Sequence, residues 1–170
     1  MKIRIMPSKT LELTYKAWGA NPTPIEFGEL YVALQQRVVD GQENGLSVIK
    51  ATKFNEVQQY LTISKHGLFM GLLVANKKWL DKLTPEERDV IVRACAVNIA
   101  QQRKFVAEED EKIIKYLGEH GMSVYRLSAS EVAGFKKASL SVHDEFAKLS
   151  PAEAVALETV RKSLAKFGPQ

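Results

Sequence analysis

The sequence predicts an α/β fold in which a parallel sheet is followed by a long helical region. In the first forty residues, segments with strand patterns alternate with segments in helical spacing, which is typical of parallel strand–helix–strand units. The second half of the chain contains three capping boxes, which begin at Thr84, Ser128 and Ser150 and each mark the start of a helix. We therefore expect an α/β portion over residues 1–75 and a mostly helical portion over residues 76–170.

The N-terminal residues predict the first strand and the first helix. Polar and apolar residues alternate over residues 2–6 and a proline follows, which indicates a short strand that ends in a loop. Ser8 or Thr10 can then cap a helix that runs to about Trp18, where a glycine provides a plausible stop.

A second strand and a second helix repeat this pattern. The Asn21–Pro24 segment must be extended, because a residue that precedes proline avoids the helical region. We expect a short strand around residues 23–26 and a helix from residue 28 to about residue 38, whose apolar positions return to helical spacing.

The middle of the chain predicts a loop, a short helix and strands. Residues 40–45 form a polar, glycine-flanked loop, and a helix is expected over residues 47 to about 54. Residues 60–64 and 68–75 have strand patterns, and the second is nearly all apolar, as expected for a strand that is buried on both faces. A further short strand is predicted over residues 123–127.

One predicted helix is very long. The capping box at Thr84 opens a segment without a helix breaker until Gly118 or Gly121, which gives a helix over about residues 85–118. At 1.5 Å per residue this helix measures roughly 50 Å, more than the roughly 30 Å diameter of a domain of this size. The helix should therefore extend onto a second lobe or a second chain.

Composition excludes several classes of protein. The chain has 170 residues, 45% of them apolar and 26% charged, which is typical of one compact domain or part of a larger one and excludes a disordered chain. No apolar run approaches the ~20 residues that span a bilayer. The net charge is +4, but the basic residues are scattered and the longest basic runs are pairs, so we expect no nucleic-acid partner.

The sequence offers no motif for catalysis or for a cofactor. His66, His120 and His143 lack the i, i+4 spacing of a metal-binding helix, so we expect surface or capping histidines and no metal. There is no G-x-S-x-G elbow and no glycine-rich phosphate loop. The single cysteine, Cys95, has apolar neighbours in the long helix, which favours a small core residue over a nucleophile. We predict a protein that is not an enzyme and needs no cofactor.

Three residues lie where a ligand could bind. Arg4 is on the first strand, close to the carboxyl end where α/β sheets bind ligands, and its planar fork matches a carboxylate. Asn44 lies in a polar loop and can donate or accept a hydrogen bond, and Phe27 follows the second strand. Each also has an ordinary structural interpretation: an edge-strand charge in solvent for Arg4, a turn residue for Asn44, and a core residue for Phe27.

A set of short segments gives the chain a specific family resemblance. They read KIRI at 2–5, GANPTP at 19–24, FGELYVALQ at 27–35, VDGQEN at 39–44, KFNEVQ at 53–58 and NKKW at 76–79. In their order and spacing, these segments closely resemble the solute-binding proteins of tripartite ATP-independent periplasmic (TRAP) transporters, the DctP-like family. The similarity continues through the long helix and, more weakly, to the C-terminus.

This resemblance implies one lobe of a fold like the type II periplasmic binding proteins, with a very long helix and C-terminal helices. It implies an extracytoplasmic protein that binds a small organic acid and delivers it to TRAP membrane permease subunits. Arg4 would form the carboxylate salt bridge, Phe27 would line the ligand, and Asn44 would contact the carboxylate side. The family usually has a proline after this asparagine, whereas this chain has Gly45.

The resemblance also implies that residues 1–170 are the C-terminal portion of a two-lobed protein, because the first lobe of family members precedes the strand that contains Arg4. Residues 1–75 would form an α/β lobe with hinge strands. The first residues show no apolar signal segment, so a periplasmic location is implied by the family alone. The alternative interpretation is a truncated lobe that serves as a homo-oligomerising module without ligand capture. In both cases we expect a homodimer or a swapped assembly that covers the long helix.

Overall fold

A three-stranded parallel sheet forms the first part of the molecule. The computed structural model describes residues 1–67 and 71–167. β1 (Lys2–Ile5) lies in the centre, between β2 (Asn21–Pro24) and β3 (Gly41–Gln42), and both neighbours are parallel to it. The connecting helices are α1 (Lys9–Ala17), α2 (Leu30–Gln35) and, after β3, α3 (Leu46–Ala51). The predicted alternation of strands and helices is confirmed.

Two predicted helices are shorter than expected. The helix predicted over residues 28–38 divides into a 3-10 turn at Phe27–Glu29 and the six-residue α2. It ends earlier than expected because the chain leaves the helical region at Arg37, whose φ is 57°. The helix predicted over residues 47–54 ends at Ala51, and a second 3-10 turn follows at Phe54–Glu56.

A second sheet joins two segments that are far apart in sequence. β4 (Tyr60–Ile63) pairs in parallel with β5 (Ser123–Arg126), and Tyr60 lies opposite Ser123. Parallel strands need a long crossover connection, and the long helix supplies it here.

Five helices make up the rest of the described chain. They are α4 (Lys77–Leu80), α5 (Pro85–Glu119), α6 (Ala129–Ala138), α7 (Leu140–Ala147) and α8 (Pro151–Phe167). The boxes at Thr84 and Ser128 are both formed, with reciprocal hydrogen bonds between the capping hydroxyl and the glutamate three residues later. None of the described helices is long and apolar enough to cross a membrane.

The hydrophobic core packs α2, α3 and β4 against the C-terminal turns of α5. Leu117 is completely buried, and Ile113 and Ile114 are nearly so. The core cluster consists of apolar side chains from both parts of the chain: Leu30, Ala33, Leu34, Val39, Ile49, Phe54, Leu61, Ile113, Leu117 and Met122. The end of α5 therefore packs against both α3 and the second sheet.

The N-terminal two-thirds of α5 are exposed. Val92, Ile99 and Val106 recur every seven residues, so they lie along one side of the helix, and each is 44–60% exposed. Cys95 is half-buried rather than a core residue, so that prediction is wrong. The reason is that this stretch of α5 extends beyond the core. At 35 residues the helix is about 50 Å long, as predicted.

The predicted strand over residues 68–75 is wrong for its described part. Residues 68–70 lie outside the described residues, and residues 71–76 form no strand. Leu72, Leu73 and Val74 are 76–86% exposed. The apolar pattern is that of a strand buried on both faces, but no described segment pairs with it.

Candidate functional site

Arg4 is a buried cation in the centre of the first sheet. It is 1% exposed, and its Nε donates a hydrogen bond of 2.8 Å to the backbone oxygen of Ile25. Its Nη1 is also buried and has no hydrogen-bond partner among the described residues. The alternative of an edge-strand charge in solvent is excluded, because β1 has a neighbour on each side.

Two carboxylates partly compensate the charge of Arg4. Burial lowers the pKa of Arg4 below its ordinary value, while the negative charges of Glu43 and Glu26 act in the opposite direction. A guanidinium remains protonated under such conditions. The site therefore holds a fixed positive charge, and the N–H groups of Nη1 have no partner among the described residues, which favours an incoming acceptor.

Phe27 lies beside this guanidinium. The centre of its ring is 6.0 Å from Cζ of Arg4, at the outer limit of a cation–π contact. The ring is 48% exposed and packs edge-on against Phe54. The core interpretation of Phe27 is therefore wrong, because nearly half of the residue is exposed.

Asn44 is linked to β1, the strand of Arg4, through Gln42. Its Nδ2 donates a 2.6 Å hydrogen bond to Oε1 of Gln42, and Gln42 lies opposite Arg4 in the register of β1 and β3. The structure thus brings Arg4 and Phe27 together directly and links Asn44 to them through Gln42. Gly45 has φ −66°, a value that proline also adopts, so the loop has the backbone shape that the family's proline would give.

Sequence reasoning missed a polar cluster next to Asn44. Nδ1 of His66 lies 2.6 Å from Oγ of Ser64, and its Nε2 lies 3.3 Å from the hydroxyl of Tyr15 and 4.0 Å from Oε2 of Glu43. The Glu43 side chain is 11% exposed, and its Oε1 has no hydrogen-bond partner among the described residues. Burial, with a smaller contribution from the charge of Glu43, raises the pKa of Tyr15 well above its ordinary value.

His66 is exposed, as predicted for a surface histidine, and its ring also belongs to this polar cluster. Its signal was its position just after a predicted strand, since the carboxyl ends of parallel strands are where α/β sheets collect functional groups. In residues 1–67 and 71–167, no group of three or more His, Cys, Asp or Glu side chains is placed to hold a metal ion.

Glu43, Asn44 and His66 also line a cavity of about 1120 Å³. The cavity lies between the first sheet and β4, and the side chains of Tyr15 and Trp18 contribute to its wall. Arg4 and Phe27 are outside its lining. The arginine site and the cavity are thus neighbours that share the loop after β3.

Comparison with known proteins places these features in a family context. The model of a family described as bacterial extracellular solute-binding protein, family 7 (DctP), matches residues 1–149. The C4-dicarboxylate-binding periplasmic protein of Rhodobacter capsulatus is 36% identical over 157 residues, which are 92% of this chain and 47% of that protein. The 2,3-diketo-L-gulonate-binding periplasmic protein of Escherichia coli is 35% identical over 164 residues, or 94% of this chain and 48% of that protein.

The fold is matched by solved structures. A TRAP periplasmic solute-binding protein from Shewanella oneidensis, with bound succinate, superimposes with a TM-score of 0.82 and 30% identity. The match covers 92% of this chain and 52% of that chain. This chain therefore spans about half the length of the relatives and structures that it matches.

Proposed function

The chain belongs to the DctP family of bacterial extracellular solute-binding proteins, and we propose that it forms one lobe of a two-lobed receptor for a small organic acid. Proteins of this family are transport proteins that bind solutes and are not enzymes, as the sequence predicted. The α/β fold with long and C-terminal helices matches their structures.

The observation that carries the proposal is the buried nitrogen Nη1 of Arg4, which has no hydrogen-bond partner among the described residues. A buried guanidinium nitrogen without a partner among the described residues costs free energy, and a carboxylate oxygen is the acceptor that fits it best. A ligand carboxylate at Nη1 would leave the bond from Nε to Ile25 in place. Arg4 would thus serve two acceptors, one structural and one supplied by the ligand.

Phe27 and Asn44 would complete this half of the site. The half-exposed ring of Phe27 can pack against the carbon chain of an acid whose carboxylate is at Arg4. Asn44 would offer its amide to the same carboxylate or to a neighbouring oxygen. Access to Nη1 requires neighbouring groups to shift, since Arg4 is almost fully covered.

The ligands in the names of the relatives support the proposed class of ligand. They bind a C4-dicarboxylate, 2,3-diketo-L-gulonate and succinate, all of which carry a carboxylate. We propose a small organic acid for this chain, in the periplasm, with delivery to TRAP membrane permease subunits. The named relatives are periplasmic proteins, which supports that location.

A second candidate function is a homo-oligomerising module without ligand capture. It is favoured by the exposed apolar residues at 72–74 and along α5, since such surfaces usually mark an interface. In this alternative a second copy of the chain would cover them and Arg4 would have no ligand.

A binding titration separates the two functions. We expect the isolated chain to bind succinate and galactonate more weakly than about 1 mM, because one ion pair hardly repays its desolvation. In a chimera in which this chain replaces the matching half of the Rhodobacter capsulatus relative, we expect about micromolar affinity by isothermal titration calorimetry.

Either of two results would contradict the proposal. Micromolar binding by the isolated chain would show that no second lobe is needed. A folded chimera that binds no acid in a broad carboxylate panel would favour the oligomerising module, and sedimentation of the isolated chain as a dimer would then support it.

A further inference from the structure

The segment KFNEVQ at residues 53–58 connects the hydrophobic core to the proposed acid site. Its Phe54 packs against Phe27, with the ring centres 6.3 Å apart and an angle of 65° between the ring planes. Phe54 is 2% exposed and belongs to the core cluster, whereas the ring of Phe27 is nearly half exposed beside Arg4. Phe54 is therefore a buried support for a ring that the proposed function places against the ligand.

The ring of Phe27 needs such a support. It is carried by the 3-10 turn Phe27–Glu29, a short and weakly hydrogen-bonded element, and Glu26 provides no side-chain cap for this turn. A half-exposed ring on a short turn can occupy several side-chain rotamers. Edge-on packing against a buried aromatic ring favours one of them, because the positive edge of one ring contacts the negative face of the other.

Tyr31 holds Phe54 from a second direction. The ring centres of Tyr31 and Phe54 are 6.5 Å apart, with an angle of 31° between the ring planes. The hydroxyl of Tyr31 also donates a 2.9 Å hydrogen bond to Oε2 of Glu56, which lies in the same 3-10 turn as Phe54. The segment from Phe27 to Tyr31 and the turn Phe54–Glu56 are thus joined through both apolar and polar contacts.

The backbone before Phe54 has an uncommon conformation. Lys53, which precedes the turn, has φ 56° and ψ 34°, in the left-handed region that residues other than glycine seldom adopt. Such a conformation persists where the surrounding structure fixes it, and it is frequent next to functional sites. At Lys53 it lies between the end of α3 and the buried ring of Phe54.

We propose that Phe54 is a positioning residue of the organic-acid site, which holds the Phe27 ring where the carbon chain of the acid packs. The inference rests on the proposed function and adds to it a residue that does not touch the ligand. A ring that is already held in its binding orientation loses less conformational freedom when the acid binds, so the affinity is higher.

A double-mutant cycle in the chimera with the Rhodobacter capsulatus half tests this role, with succinate affinity measured by isothermal titration calorimetry. Phe54→Leu should weaken binding by about 5-fold, because leucine provides no ring for Phe27 to pack against. In a Phe27→Ala background, Phe54→Leu should change the affinity by no more than about twofold, because the ring that it positions is absent. An equal loss in both backgrounds would overturn the proposal, since Phe54 would then act through the fold alone.

Ile49→Val is the matched control for Phe54→Leu. Ile49 is 4% exposed in the same core cluster, so its truncation also removes buried apolar atoms. We expect this control to lower the stability of the chain and to leave the succinate affinity unchanged. A loss of affinity equal to that of Phe54→Leu would overturn the positioning role.

Phe54→Met covers the case in which Phe54→Leu does not fold. Methionine fills irregular gaps in a core but has no aromatic ring, so the same cycle is expected with it. If neither variant folds by circular dichroism, Phe54 is a structural residue and the proposal is overturned.

The position of the Phe27 ring can also be measured without a ligand. The ring current of Phe54 shifts the NMR signals of the Phe27 ring protons in the isolated chain. We expect these signals to move towards their random-coil positions in Phe54→Leu and to stay in place in Ile49→Val. Unchanged Phe27 signals in Phe54→Leu would overturn the proposal.

The outcomes separate this inference from the proposed function. A wild-type chimera that binds no acid would contradict the proposed function, and the Phe27 signals would then still decide whether Phe54 positions the ring. A chimera that binds succinate but loses affinity equally in both backgrounds would leave the proposed function standing and overturn the role of Phe54.

Discussion

Replacing Arg4 by lysine should weaken organic-acid binding by roughly 100-fold, or about 3 kcal/mol, in the chimera that completes the site. Lysine keeps the positive charge but loses the planar fork that serves Ile25 and a carboxylate at the same time. Lysine has one nitrogen, Nζ, so it cannot place separate nitrogens at the Ile25 oxygen and at the ligand carboxylate as Arg4 does. The measurement is isothermal titration calorimetry with the best acid of the panel.

The matched control for this variant is Arg93→Lys. Arg93 is exposed on α5 and forms an i, i+4 ion pair with Asp89, far from the proposed ligand contacts. We expect its substitution to leave the affinity unchanged. An Arg4→Lys protein that binds as tightly as this control would show that Arg4 is a structural cation only.

Leu117→Ala should lower the free energy of unfolding by about 3–4 kcal/mol, measured by chemical denaturation of the isolated chain. Leu117 is completely buried in the core cluster, where the end of α5 packs against α3 and the second sheet. Truncation would leave a cavity in the core cluster, and neighbouring side chains could fill it only in part.

Val97→Ala is the control for the core variant. It removes apolar atoms from the same helix, but Val97 is 56% exposed. We expect a change within about 0.5 kcal/mol. If the two variants had equal effects, the core would not lie where the structure places it.

Local signals explain why most of the fold could be predicted from the sequence. The proline after residue 6, the proline-rich Asn21–Pro24 segment and the capping boxes at Thr84 and Ser128 act on their nearest neighbours, so the sequence alone reveals them. The length of α5 follows in the same way from the absence of breakers. The segment at residues 68–75 is different, because a strand forms only with a partner and the described chain supplies none there.

The candidate site was only partly predictable for a related reason. Arg4, Phe27 and Asn44 were identified by residue type and by family resemblance, but their arrangement depends on the pairing of β1 with β3. The contact of Glu43 with His66 joins residues 23 positions apart in sequence, through the packing of α1 and the end of β4. No local sequence pattern predicts this contact between Glu43 and His66.

A crystal structure of the chimera with succinate would test the central claim most directly. We predict that one carboxylate oxygen lies within hydrogen-bond distance of Nη1 of Arg4, with the Phe27 ring against the carbon chain and the Nε bond to Ile25 retained. A ligand bound elsewhere, with Nη1 of Arg4 still buried against protein alone, would contradict Arg4 as the carboxylate anchor.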